Sequence, residues 1–154
     1  MIINIAHIHP MLVHFPLALF PVVLGIQFYV LIKGQSLFSQ NCAQSSATGL
    51  LALAAVAAVA AATFGDMALD KAVASGVKLS LLESHEDLGQ ASATLLVLMA
   101  LAGGWLFKVQ EPSMKVSWGF WLTGVAVFVV LIITAWHGGH LVYDLGVSVT
   151  AKGR

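Results

Sequence analysis

Charge is scarce in this chain. Lysine plus arginine number 7 and aspartate plus glutamate number 7, together 9% of 154 residues, against about 25% in soluble domains. That shortage excludes an ordinary water-soluble fold. The even balance gives no reason to expect nucleic acid as a partner. The single cysteine, Cys42, excludes an internal disulfide framework, and without a Cys-x-x-Cys-His stretch there is no covalent c-type haem attachment. The first apolar run has no basic leader and no small-x-small site after it, so it is read as a retained span rather than a cleaved signal peptide. Alternation of apolar and polar residues is missing as well, which argues against a transmembrane barrel.

Hydrophobic residues make up 59% of the sequence and fall in continuous runs. Segments near 11–32, 47–65, 88–107 and 116–137 are each roughly 20 residues long, enough to cross about 30 Å of hydrocarbon as helix. With short links between them, the expected fold is all-α: an integral membrane four-helix bundle running up-down-up-down, with residues 1–154 as a single transmembrane domain.

The pattern within the spans adds detail. Pro10 suits the first turn of the first helix, and Pro16 and Pro21 each remove a backbone hydrogen bond, which predicts a kink just below His14. In the second span, Ala54, Ala58 and Ala62 recur every fourth residue, and Ala100 and Gly104 repeat the spacing in the third. Such small-residue stripes predict close packing of these two helices. The second span is expected to close at Gly65-Asp66, leaving 66–84 as the longest link. Ser80 with Glu83 and Ser84 with Asp87 resemble capping boxes, so the third helix should begin between them. Trp105, Trp118, Trp121 and Trp136 read as packing and interfacial belt residues.

Threading the spans up and down brings the start of the first and third and the end of the second and fourth to one membrane face. All six histidines lie there. Lys71, Lys78, Lys152 and Arg154 on that face against Lys33, Lys108 and Lys115 on the other give no clean positive-inside vote. The uncharged leader favours a histidine face and termini outside the cytoplasm.

Neutral imidazole is a common ligand for transition metals and haem iron, and facing helices of a bundle can supply two to one iron. His14, His85 and His137 come from three helices at a similar expected depth, with His14 and His85 the preferred axial pair. His9 and His140 stand beside them as further cofactor-binding candidates. Gly89, Ala93, Gly138 and Gly139 would form a porphyrin cleft. A zinc, copper or iron site using these histidines with Asp66 or Glu86 is the non-haem alternative. The spacing of His137 and His140 resembles a helical chelate, although Gly138-Gly139 would weaken the helix between them. A third use is proton relay or quinone-headgroup binding. His7, His9 and His140 also suit simple interfacial hydrogen bonding to backbone or water.

The stretch His9-Pro10-Met11-Leu12-Val13-His14-Phe15-Pro16, with Gly65-Asp66, His85, Leu88-Gly89, Trp136, Gly138-Gly139 and Leu141-Val142-Tyr143 to Gly146-Val147, resembles the bacterial predicted membrane proteins of domain of unknown function two-two-three-one. The resemblance spans essentially the whole chain. It implies four transmembrane helices in a bacterial inner membrane, and the fusion of some members to c-type cytochrome or haem-handling modules implies redox work outside the cytoplasm. The chain departs from that pattern at Asp144-Leu145, where members often carry a histidine, and at His137 and His140, which leaves His14 and His85 as the residues carried over. The resulting expectation is a haem b electron-transfer protein within a larger assembly, meeting a redox complex, a quinone or a c-type cytochrome. The competing expectation is a non-redox accessory subunit that holds no cofactor.

Overall fold

The computed structural model describes residues 8–147; His7, Lys152 and Arg154 lie outside them. Helices α1 (Ile8–Leu12), α2 (His14–Ile32), α3 (Cys42–Ala74), α4 (Glu83–Lys108) and α5 (Met114–Tyr143) follow one another, with a 3-10 turn at Leu79–Leu81 before α4. Four helical segments are long and apolar enough to cross a membrane, α1 and α2 together forming the first. No strand occurs among the described residues. Each long helix packs on its sequence neighbours, and α5 closes the ring against α2. This is the expected up-down-up-down bundle.

The core forms where bulky side chains of α2 meet small ones of α3. Phe20, Val23, Leu51, Leu96 and Val127 fill the centre, with Ala47, Ala55 and Ala58 letting the α3 backbone approach. Outward faces are apolar too: Leu98, Leu101, Leu122 and Ile132 are exposed. That arrangement suits a lipid solvent, which leaves no reason to hide leucine.

Several expectations need correction. The proline at 16 does interrupt the hydrogen-bond ladder, separating α1 from α2 at Val13, yet Val13 keeps helical dihedrals (φ −61°, ψ −23°). The chain therefore passes on as helix. The second span does not close at Gly65-Asp66, because α3 continues through them to Ala74. At about 1.5 Å per residue, its 33 residues reach well beyond one hydrocarbon thickness. Nor does Gly138-Gly139 break α5, which runs on to Tyr143. In α4 the glycine turned inward is Gly103: a Cβ there would meet Phe120 Cζ at 2.9 Å and Leu51 Cδ2 at 3.4 Å, whereas Gly104 faces open space. The third helix starts at Glu83, between the two serines, but its N-cap is Leu82 with no side-chain cap. Leu82 is buried instead in a small apolar cluster with Ala72 and Leu141. By helix position, this cluster lies beyond the histidines, over one end of the bundle.

At the opposite end, buried Ser117 fastens the link after α2. Its hydroxyl accepts from the Leu37 amide at 3.2 Å, and Ser36 donates to the Glu111 carbonyl at 2.6 Å. Gln44 adds bonds to the Ser36 carbonyl and the Ser39 hydroxyl. Trp121, expected in the belt, is partly buried and donates to the Leu24 carbonyl of α2 at 3.0 Å.

Candidate functional site

Two histidines meet inside the bundle, and they are His9 and His85. His9 leaves α1 and crosses to α3, where its Nδ1 lies 2.8 Å from the Ala61 carbonyl. His85 leaves α4 and crosses to α5, where its Nδ1 lies 3.2 Å from the Thr134 carbonyl. Their ring centres are 6.2 Å apart with planes at 81°. A carbonyl oxygen only accepts, so in both bonds Nδ1 carries the proton and donates. When the ring is neutral, the lone pair is then on Nε2.

Two glycines make room for these rings. A Cβ at Gly65 would sit 3.1 Å from both Cε1 and Nδ1 of His9, and one at Gly138 would sit 2.8 Å from His85 Cε1. Each imidazole therefore turns an edge carrying Nδ1 and Cε1 toward a helix backbone at a point where any side chain would intrude. The glycine in Gly65-Asp66 and the first glycine of Gly138-Gly139 serve as ring seats rather than as helix stops. In the sequence, Gly65 reads as the end of a span, whereas Gly138 reads as a cleft residue and a weak point in the last helix.

A further polar group completes the site. The Thr134 hydroxyl donates within its own helix to the Val130 carbonyl at 2.9 Å. It also meets the hydroxyl of buried Ser92 at 2.9 Å. Thr134 thus contacts His85 through its carbonyl and Ser92 through its side chain, tying α4 to α5 just below the imidazole. Neither residue was singled out in the sequence, although small hydroxyls inside an apolar span are the available signal.

The other histidines lie apart from this pair. His14 is exposed and turns back to the Pro10 carbonyl one turn before it. The preferred pairing of His14 with His85 is therefore not the one the fold brings together: Pro10 keeps His9 inside the helical turn, and His9 faces α3. His137 donates to the Ile133 carbonyl at 2.9 Å, four residues back in α5. His140 is exposed and pairs with Asp144 at 2.6 Å. With different partners, His137 and His140 form no chelate here. Among the described residues, no group of three or more His, Cys, Asp or Glu side chains converges to hold a metal ion.

Asp66 is half-buried and accepts from Gln90 Nε2 at 3.3 Å, linking α3 to α4. Of the residues expected to form a porphyrin cleft, Gly138 is occupied by His85 itself, Gly89 and Gly139 face open space, and Ala93 lines a groove between α3 and α4.

Neither the curated proteins nor the solved structures hold a match to this chain. A family model does match, over residues 6–151, so the four membrane helices and their histidine pair are those of a member of the family described as predicted membrane protein (DUF2231).

Proposed function

We propose that the protein is a bacterial inner-membrane subunit in which His9 and His85 hold a redox metal centre, haem b in the leading form, for electron transfer at one membrane face. The observation that carries this reading is the pair's hydrogen bonding. Both Nδ1 atoms donate to backbone carbonyls, the outer partner that sets the tautomer and orientation of ligating histidines. With ring centres 6.2 Å apart, His9 and His85 would be the residues to hold such a group, each through Nε2, and imidazole is a common ligand of haem iron. The donor set thus suits haem iron. Room for the macrocycle does not come from Gly138, because the His85 ring fills that seat. When bound, such a group would supply one-electron chemistry; the protein's share is to hold the two rings, with the Ala72, Leu82 and Leu141 cluster limiting water above them. A quinone or a c-type cytochrome would be the electron partner, with the histidine face and both termini on the periplasmic side.

A second reading is favoured by the same glycine seats. Both rings are half-buried, seated at a glycine and hydrogen-bonded to a carbonyl of the next helix, so they can act as a clamp joining α1 to α3 and α4 to α5 in a non-redox accessory subunit. An optical spectrum of the purified protein with elemental analysis separates the two. The redox reading expects a reducible Soret and alpha band, or stoichiometric metal, lost in both His9→Ala and His85→Ala and kept in His14→Ala. A colourless, metal-free protein from cells supplied with haem and iron would support the clamp.

A further inference from the structure

A groove of about 330 Å³ runs between α3 and α4. Its floor is Ala62 and Ala93, whose small side chains leave a furrow where larger residues would have closed the surface. Along it the chemistry changes in one direction. Asp66 and Gln90 stand at the end nearer the histidines, Thr63 and Thr94 come next, and Val59 and Leu98 lie at the far end. On α3, the seven steps from Val59 to Asp66 rise about 10 Å, so the furrow covers roughly a third of a hydrocarbon layer about 30 Å thick. Val59 and Leu98 are exposed, so the groove opens sideways, away from the bundle core.

The polar end specifies the head. The Thr63 hydroxyl is already committed as a donor to the Val59 carbonyl, which leaves its oxygen as an acceptor. Gln90 spends one amide N–H on Asp66, leaving its second N–H and its carbonyl oxygen. Asp66 contributes a carboxylate, and none of the lining residues is basic. A negative, acceptor-rich end calls for a positive head with several N–H donors, and a primary ammonium has three. A quinone ring, which carries no positive charge, would leave the Asp66 carboxylate unanswered.

We propose that the α3–α4 groove binds an aminophospholipid, with its ethanolamine ammonium at Asp66 and Gln90 and one acyl chain along Val59 and Leu98. This holds whatever His9 and His85 ligate.

The test is lipid retention. The full chain is reconstituted into nanodiscs of equal phosphatidylethanolamine, phosphatidylglycerol and phosphatidylcholine, re-extracted in mild detergent, and its bound lipid counted by native mass spectrometry. One lipid per chain should remain, with phosphatidylethanolamine preferred by about tenfold, the scale of one charge-assisted hydrogen bond. Phosphatidylcholine, which is cationic but lacks N–H, should be retained no better than phosphatidylglycerol. Asp66→Asn should abolish the preference, and Leu98→Trp, which fills the apolar end, should lower total retention. Equal retention of the three lipids, an unchanged preference in Asp66→Asn, or retention of a co-purified quinone instead would overturn the proposal. A lipid-free dimer that Leu98→Trp dissociates would overturn it too, by showing a second copy in the groove.

Discussion

At the scale of single residues, the histidine pair is set by what is missing opposite each ring. Gly138→Ala puts a methyl 2.8 Å from His85 Cε1, and Gly65→Ala puts one 3.1 Å from His9. The first contact is too short to survive, so the imidazole must leave its seat. We expect Gly138→Ala to destabilise by about 1–3 kcal/mol, the usual scale of overpacking, and Gly65→Ala by less, because a shift of a few tenths of an ångström relieves it. Gly89→Ala and Gly139→Ala meet open space, and should be neutral or stabilising by up to about 1 kcal/mol, as alanine is the better helix former. Thermal melts of the four variants in one detergent check the order, and equal melting temperatures would refute the ring-seat account. Ser92→Ala, which removes the bond to Thr134, should cost only about 0.6 kcal/mol, typical of interhelical hydrogen bonds within membranes. A loss several times larger in the same assay would mean the Ser92 hydroxyl has another task.

At the scale of helices, small residues decide which backbones approach. The spacing in α3 was legible: Ala54 and Ala58 are buried, as their four-residue repeat predicts. In α4 the same reasoning chose Gly104, and the structure turns Gly103 inward instead. Two adjacent glycines present the same composition, and only the helix phase, set by Leu96 and Met99 in the core, selects between them. Gly103→Ala should therefore destabilise by about 1–3 kcal/mol through Phe120 and Leu51, while Gly104→Ala should not. Equal effects on thermal unfolding would place the α4 phase in error. The ends of α3 and α5 teach a related lesson. Glycine near the end of an apolar run reads as a stop, but a glycine that seats an imidazole must be inside a helix, since the contact needs a regular backbone held at fixed distance.

For the whole molecule, orientation is the property that gives the histidine face its meaning. Cys42 is exposed at the start of α3, at the end of the bundle away from His9 and His85. If the histidine face is periplasmic, a membrane-impermeant maleimide added to intact spheroplasts should leave Cys42 unlabelled, and permeabilisation should expose it. Labelling in intact spheroplasts would reverse the assignment and move any redox partner to the cytoplasmic side. Loss of signal in Cys42→Ser confirms that the label reports this residue.

The sequence alone sets lipid as the solvent, the helix count and the antiparallel order. Scarce charge and unbroken apolar runs leave no other way to satisfy the backbone in lipid. It also determined that the histidines gather at one end, because position along successive antiparallel helices follows from spacing alone. Which two of them meet depends on how the helices pack. His9 and His14 are five residues apart on one helical segment, and the direction each ring faces depends on how α1 and α2 are rotated against α3. That rotation comes from packing Phe20 and Val23 into the alanine face, a long-range fit no local pattern contains. The same fit explains why the seats are Gly65 and Gly138. A missing Cβ acquires its role only from the side chain that occupies the space.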